Sequence, residues 1–250
     1  MKKIYLLIVS LIFATGLHAQ SGPQLYNMSF DHWSKKKAQW CPWEQNGPQT
    51  WDTANKGLSI LGKNGALPED EKVAVKGPGK RAAKVQSMNV VWAFAAGALY
   101  TGDFVRIVNF SGAELAMGVP FTARPKSLDG YYWYTPGKIN HAKAPYEDMM
   151  GKTDVGQIEV ILADWDSPQT GCTNTGQFID VENDPHIIGR GNLYLTKDSK
   201  GYVKFSLPIE YRSDRTPKYV VITTASSRYG SHFTGADGSV LYLDEFEFVY

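Results

Sequence analysis

Long apolar segments are absent from the sequence beyond its first twenty residues. The run Ile4–Ala14 holds about a dozen residues, fewer than the roughly twenty that a membrane-spanning helix needs. Lys2 and Lys3 precede this run and small residues ending in Ala19 follow it, which is the order of a secretory signal. The sequence therefore predicts a signal peptide over residues 1–19, one mature domain over residues 20–250, and a periplasmic or secreted protein with no membrane-spanning segment.

A strong charge of either sign is also missing. Removal of the signal peptide leaves 24 basic and 25 acidic residues, a formal charge of −1, and both signs are interspersed along the chain. This balance argues against a nucleic-acid partner. The sequence has no His-x-x-x-His or Cys-x-x-Cys pair and no Gly-x-Ser-x-Gly turn. A zinc site and a serine-hydrolase elbow are therefore not expected.

Cysteine is scarce, since only Cys41 and Cys172 occur. Disulfides persist in exported proteins, so the two residues could form a single bridge. They could equally be two buried thiols. The sequence leaves both possibilities open.

Helical periodicity is nearly absent as well, and short apolar or alternating runs bounded by Gly, Pro, Asn and Asp recur instead. This pattern is typical of an all-β sandwich. The predicted strands are Leu58–Leu61, Ala82–Ser87, Val90–Ala96, Phe104–Phe110, Tyr131–Tyr134, Gln157–Asp164, Tyr202–Ile209, Tyr219–Thr224 and Val240–Tyr250. Regular alternation along the last strand places Asp244, Phe246 and Phe248 on one face and Leu241 and Leu243 on the other.

Four segments carry a resemblance to a known family. They are Trp51–Asn55, Thr101–Phe104, Gly112–Gly137 with its Tyr131-Tyr132-Trp133-Tyr134-Thr135-Pro136-Gly137 motif, and Ala225–Phe246. In order and spacing they resemble the putative carbohydrate metabolism domain of exported proteins from Bacteroides-type gut bacteria. The resemblance extends from Phe30 to Tyr250. It implies a jelly-roll sandwich similar to carbohydrate-binding modules and a role in glycan handling, with no established reaction.

Aromatic residues are abundant, with 7 Trp and 14 Tyr. Sugar-binding proteins stack pyranose rings on such side chains, although the same rings also fill protein cores. We expect Trp133 and Trp51 to be exposed, and Tyr131 shares a strand face with Trp133. These three residues are the predicted ligand-stacking positions, and Asp166 is a predicted polar contact.

The segment Ser226–Gly238 combines hydroxyl, guanidinium, ring and carboxylate side chains with three glycines. Arg228 and Tyr229 are its predicted ligand-binding residues. The glycines and Asp237 also fit turns that lead into the last strand. The two interpretations are compatible.

Asp244 lies in an otherwise apolar strand, where a buried carboxylate is costly unless it is paired. Jelly-roll modules similar to this family often hold a structural Ca²⁺ between the last strand and the first. Here the predicted metal ligands are Asp244 and Asp31, although calcium takes roughly six to eight oxygens. A salt bridge or hydrogen bonds would satisfy Asp244 equally well.

Three functions remain open. The first is a carbohydrate-binding accessory protein whose partners are a saccharide or polysaccharide and surface glycan-utilisation proteins. The second is a glycoside hydrolase or lyase, which needs two carboxyls roughly 5–10 Å apart and for which Asp164 and Asp166 are candidates, with Glu182 and Asp184 nearby. The third is a structural or adhesion module that binds protein.

Overall fold

The computed structural model describes residues 22–90, 93–109, 112–173 and 175–250. The predicted signal peptide lies outside these ranges. Within them, no helix is long and apolar enough to cross a membrane.

Short strands are the main regular structure of the described chain. In chain order they are β1 (Ser34–Lys36), β2 (Gln39–Cys41), β3 (Trp51–Asp52), β4 (Ala66–Glu69), β5 (Ala82–Gln86), β6 (Met88–Val90), β7 (Ala93–Ala95), β8 (Ala98–Val108), β9 (Gly112–Met117), β10 (Val119–Pro120), β11 (Ser127–Thr135), β12 (Gly156–Ala163), β13 (Gln169–Cys172), β14 (Ile187–Leu195), β15 (Val203–Pro208), β16 (Glu210–Tyr211), β17 (Tyr219–Ala225) and β18 (Val240–Val249). The described chain also contains one α-helix, α1 (Asn55–Leu58), and three 3₁₀ turns. The turns lie at Ser59–Leu61, directly after α1, and at Glu147–Met149 and Gly230–His232.

Two antiparallel sheets enclose the main core. The nine-stranded sheet runs β13-β9-β8-β17-β12-β14-β16, with β10 also paired to β17 and β3 to β8. The five-stranded sheet runs β15-β11-β18-β5-β4. Two hairpins, β1-β2 and β6-β7, stand apart from both sheets. The predicted all-β jelly-roll sandwich is confirmed.

Alternation along the central strands divides their side chains between two faces. Val160 and Ile222 point into the main core, where residues of both sheets meet. Ile161 and Val221 point to the opposite face of the nine-stranded sheet and belong to a second, smaller apolar cluster around Trp165. Because both faces carry apolar residues, these strands read as continuous hydrophobic runs in the sequence.

The last strand departs from strict alternation. Glu245 has a φ of 47°, and the pairing of β11 with β18 shifts by one residue at this point. Such a bulge resets which face the following residues occupy. Phe246 and Phe248 therefore join Leu241 and Leu243 in the main core, and the predicted grouping of Phe246 and Phe248 with Asp244 is wrong.

The predicted strand Leu58–Leu61 is also wrong, because these residues end α1 and form the following 3₁₀ turn. The buried Asn55 organises this segment, since its side-chain oxygen accepts hydrogen bonds from the backbone N–H groups of Gly65 and Ala66. Cys41 and Cys172 are both buried and form no disulfide with each other.

Candidate functional site

A groove of about 510 Å³ lies on the face of the nine-stranded sheet that points away from the main core. Strands β8, β12 and β17 contribute its floor, and α1, the β6-β7 hairpin and the turn Gly230–His232 contribute to its walls. Much of the lining is apolar, with Leu58, Phe104 and Met117 among its residues.

A row of polar side chains crosses the groove floor. Strand pairing places Tyr100 beside Thr223, and Thr223 beside Glu159. Two strand spacings separate the ends of this row, which is roughly 10 Å. The hydroxyl of Tyr100 is buried and has no hydrogen-bond partner in the described part of the chain.

Glu159 is held by an arginine from the neighbouring strand. Nε and Nη2 of Arg190 lie 2.9 and 2.8 Å from Oε1 of Glu159. Nη1 of Arg190 also donates to Glu182, at 2.5 Å. Burial raises the pKa of Glu159, and the charge of Arg190 opposes that rise. The guanidinium of Arg190 is thus shared between two carboxylates.

Arg228 lies at the groove with its guanidinium against two aromatic rings. Its Cζ is 3.9 Å from the ring centre of Tyr194 and 4.7 Å from that of Tyr229. Nη2 donates to the hydroxyl of Tyr194 at 3.3 Å. The Tyr229 ring also packs on Tyr146, with ring centres 4.3 Å apart.

A second aromatic group lines the wall formed by the turn Gly230–His232. Phe178 stacks on His232 with ring centres 4.9 Å apart, and Tyr146 contacts the same imidazole edge-on. Burial lowers the pKa of His232, which favours the neutral imidazole. Its Nδ1 has no hydrogen-bond partner among the residues described.

A buried carboxylate anchors the segment that carries Arg228. Oδ2 of Asp154 accepts hydrogen bonds from the hydroxyls of Ser227 and Ser239, at 2.5 and 2.8 Å, and from the backbone N–H of Ala236 at 2.8 Å. The hydroxyl of Ser87 contacts that of Ser227 at 2.7 Å. Burial raises the pKa of Asp154, which these donors counteract. The segment is therefore tied to the fold at both ends.

The family model described as putative carbohydrate metabolism domain matches residues 29–249. The chain belongs to this family. A crystal structure of a putative glycoside hydrolase from Bacteroides thetaiotaomicron VPI-5482 gives a TM-score of 0.67 at 21% identity, covering 89% of this chain and 70% of that one. Another, from Bacteroides vulgatus ATCC 8482, gives 0.62 at 17% identity over 87% and 94%. Both share the fold. A comparison with curated proteins gave no match.

In this carbohydrate metabolism domain, Trp51 is not exposed. Its side chain has 0% exposure, packs on Phe30 in the core, and donates its indole N–H to the carbonyl of Tyr26. The neighbouring Asp52 and Thr53 are buried too, so their polarity does not indicate a surface. The expected exposure is wrong, and the buried ring offers no face to a ligand.

Trp133 and Tyr131 lie on the outer face of the five-stranded sheet and do not contribute to the groove. The ring of Trp133 contacts Tyr242, with centres 5.5 Å apart. The ammonium of Lys72 lies over the same ring, 4.7 Å from its centre. Part of this ring is thus already covered. Ligand binding by these two residues stays a prediction, and it concerns a surface other than the groove.

Asp166 and Asp164 are surface acids that lie outside the groove lining. The side chain of Asp166 is 93% exposed and pairs with Lys218 at 2.7 Å, which lowers its pKa. Asp164 pairs with Arg215 at 2.7 Å and with His186 at 3.0 Å. A catalytic acid needs a raised pKa, so Asp166 is placed poorly for that role.

The two predicted calcium ligands have other contacts. Asp31 accepts hydrogen bonds from Nζ of Lys80 at 3.0 Å and from the backbone N–H of Arg81 at 2.8 Å. Asp244 accepts one from the backbone N–H of Ala74. Within the described ranges, no group of three or more His, Cys, Asp or Glu side chains is placed to hold a metal ion. These contacts do not fit a calcium site shared by Asp31 and Asp244, and calcium binding stays a prediction.

Sequence reasoning missed Glu159, Tyr194, Phe178 and Tyr100. One signal was available, because Glu159 is a single acid within the predicted apolar strand Gln157–Asp164. A buried acid in a strand requires a partner or a function. The three aromatic residues carry no comparable local signal.

Proposed function

We propose that this domain binds a saccharide in the groove of the nine-stranded sheet, without covalent chemistry. The supporting observation is the combination of exposed aromatic rings at the groove and polar side chains on its floor. The side chain of Phe178 is 39% exposed and that of Tyr194 is 42% exposed. Membership of a carbohydrate metabolism family agrees with this proposal.

The groove has the two kinds of surface that a sugar ring requires. A pyranose has apolar C–H faces, which pack on aromatic rings, and hydroxyls at its edges, which need hydrogen-bond partners. Phe178 in the lining and Tyr194, which packs on the groove residue Arg228, supply rings. Thr223 and Tyr100 in the lining supply hydroxyls. A concave site with a few fixed polar groups among apolar ones is the usual form of a small-ligand site.

Binding is favoured over hydrolysis because the groove has too few acids. Among the described residues that line it, Glu159 is the only carboxylate. Glycoside hydrolysis uses two carboxyls, one on each side of the scissile bond. Release of reducing sugars from mixed polysaccharides, abolished by Glu159→Gln, would identify the domain as a hydrolase instead.

The test is a glycan array followed by titration calorimetry on any saccharide that binds. Phe178→Ala and Tyr194→Ala should each weaken binding roughly 10-fold or more, since burial of an aromatic side chain is worth about 1.5–3 kcal/mol. Both residues are exposed, so the variants should fold normally.

Trp133→Ala is the matched control, because it removes a ring from the opposite sheet. It should leave binding in the groove unchanged. If Trp133→Ala abolishes binding while Phe178→Ala does not, the saccharide binds on the five-stranded sheet and the groove proposal is wrong. An array with no signal from a folded protein would favour the protein-binding alternative.

Export remains part of the proposal. The predicted signal in residues 1–19 would place the domain in the periplasm or outside the cell, where glycans are encountered.

A further inference from the structure

We propose that the saccharide is acidic and that a carboxylate of a uronic acid unit binds to Arg228. This inference rests on the proposed saccharide binding and specifies its ligand class.

The first argument is the balance of charge in the groove. Glu159 and Arg228 are the only charged side chains among the described residues that line it. Glu159 is paired with Arg190 through contacts of 2.9 and 2.8 Å, and the same guanidinium also contacts Glu182. Arg228 has no carboxylate within 4.0 Å in the described part of the chain. Arg228 is therefore the charged side chain of the lining that forms no direct ion pair within the described residues.

The second argument is that the guanidinium is held ready for a ligand. It stacks on Tyr194 and Tyr229, which fixes its plane. The backbone N–H of Arg228 donates to the carbonyl of Val155, and the preceding Ser227 is bound to Asp154. A side chain that is already ordered loses little entropy when it binds.

The third argument concerns the chemistry of the donor. A guanidinium presents five N–H groups, and two of them fit the two oxygens of a carboxylate. The only side-chain hydrogen bond of Arg228 in the described residues goes to Tyr194, at 3.3 Å. Its remaining donors are thus available to a ligand. A neutral sugar would leave this charge uncompensated once water was displaced.

Glu159 does not oppose an anionic ligand. The charge of Arg228 lowers the pKa of Glu159 slightly, which shows that the two groups interact. Because Arg190 contacts Glu159 directly, the carboxylate is already paired and its repulsion of a second carboxylate is reduced.

The experiment uses an array of neutral, uronic-acid-containing and sulfated oligosaccharides, followed by titration calorimetry. The key comparison is between an acidic oligosaccharide and its methyl ester, in which one methyl group replaces the negative charge. The wild-type protein should bind the acid about 10- to 100-fold more tightly than the ester, as expected for a charge-assisted pair. Added salt should reduce this preference.

Arg228→Gln should remove the preference for the acid, so that the variant binds the acid and the ester with similar affinity. Arg228→Lys should keep part of the preference for the acid, because the positive charge remains although the paired N–H donors are lost. Arg81→Gln is the matched control, because Arg81 pairs with the exposed Asp70 and does not line the groove. It should behave like the wild type.

The outcomes separate this inference from the proposed function. Equal binding of acid and ester, or binding of neutral sugars alone, would overturn the acidic ligand and leave saccharide binding intact. Binding of sulfated members alone would overturn the uronic acid assignment. No binding to any member would overturn both.

Discussion

Asp244 is a buried carboxylate that forms no ion pair within the described residues, and this makes its effect on stability predictable. Only 1% of the surface of Asp244 is exposed to solvent. Oδ2 accepts a hydrogen bond from the backbone N–H of Ala74 at 2.6 Å, while Oδ1 has no partner among the described residues. Burial raises the pKa of Asp244 from 3.8 to about 6.

The raised pKa fixes the sign of the pH dependence. Below pH 3.8 the carboxyl is protonated in both the folded and the unfolded chain, and it contributes nothing. As the pH rises from 3.8 to about 6, the unfolded chain loses this proton first, so the free energy of unfolding falls. Because a tenfold difference in proton affinity is worth about 1.4 kcal/mol, ionised Asp244 destabilises the fold by about 3 kcal/mol above that range.

Asp244→Asn removes the charge and keeps the acceptor for Ala74. The new amide N–H₂ takes the place of Oδ1, where a donor without an acceptor costs about 1 kcal/mol. We therefore expect the variant to be about 2 kcal/mol more stable than the wild type at pH 8 and about 0.5 kcal/mol less stable at pH 4, where the unfolded chain is already partly ionised. The change in this difference between pH 4 and pH 8, about 2.5 kcal/mol, does not depend on the cost of the amide.

Urea unfolding followed by tryptophan fluorescence at intervals from pH 4 to pH 8 measures this difference. Other buried carboxyls, including Asp52 and Asp154, titrate in both proteins and cancel in the comparison. Asp70→Asn is the control, since Asp70 is an exposed partner of Arg81. Its effect should stay within about 0.5 kcal/mol at every pH.

Two results would refute this reasoning. One is a stability difference that does not change with pH, which would mean that the carboxyl ionises normally in the folded protein. The other is a loss of stability in Asp244→Asn at pH 8, together with a lower unfolding midpoint of the wild type in EGTA. That second result would identify Asp244 as a calcium ligand.

The remaining predictions concern Asp154, which anchors the segment that carries Arg228, and the N-terminus of the exported protein. Asp154→Ala should lower the free energy of unfolding by about 3–5 kcal/mol, because two hydroxyls and a backbone N–H lose their buried acceptor. Urea unfolding measures this, and a loss below about 1 kcal/mol would contradict it. The exported protein should begin at Gln20, as seen by intact mass spectrometry of the periplasmic fraction, and an uncleaved chain would contradict the predicted signal.

The strands that were predicted correctly have a simple physical basis. Gln157–Asp164 and Val240–Tyr250 match β12 and β18 to within a residue. Their apolar content is high because the sandwich buries them, and turn residues bound them. A buried strand can be recognised from the local sequence when its side chains are large and apolar.

Strand β14 was missed because two of its inward positions, Gly189 and Gly191, are glycines. A Cβ on Gly191 would lie 2.6 Å from the carbonyl oxygen of Pro208, and one on Gly189 would lie 3.0 Å from the ring of Tyr211. Close packing of neighbouring chain segments therefore requires glycine here. In the sequence, Gly189-Arg190-Gly191-Asn192 resembles a turn.

Of the groove residues, only Arg228 and its neighbour Tyr229 were predicted, because the others come close to them only after folding. Tyr100, Glu159, Phe178 and Arg228 come from separate segments, and Tyr100 and Phe178 are unremarkable among their sequence neighbours. The error at Trp51 has the same origin, since the polar residues beside it satisfy their hydrogen bonds inside the protein. Asp52 accepts hydrogen bonds from the backbone N–H groups of Thr53 and Phe104.

Glu159 and Asp244 show what the local sequence indicates about a buried acid and what it does not. Each is an acid in an apolar strand, and each has a pKa raised by burial. Glu159 meets Arg190, which is 31 positions away in the sequence and becomes its neighbour through the pairing of β12 with β14. Asp244 accepts a hydrogen bond from the backbone N–H of Ala74 and forms no ion pair within the described residues. At both positions the local sequence shows an acid among apolar residues. Only the pairing of the neighbouring strands decides which of the two carboxylates meets an arginine. In the groove lining, Arg228 is the charged side chain without an ion pair among the described residues, and a saccharide carboxylate is the partner that we expect it to bind.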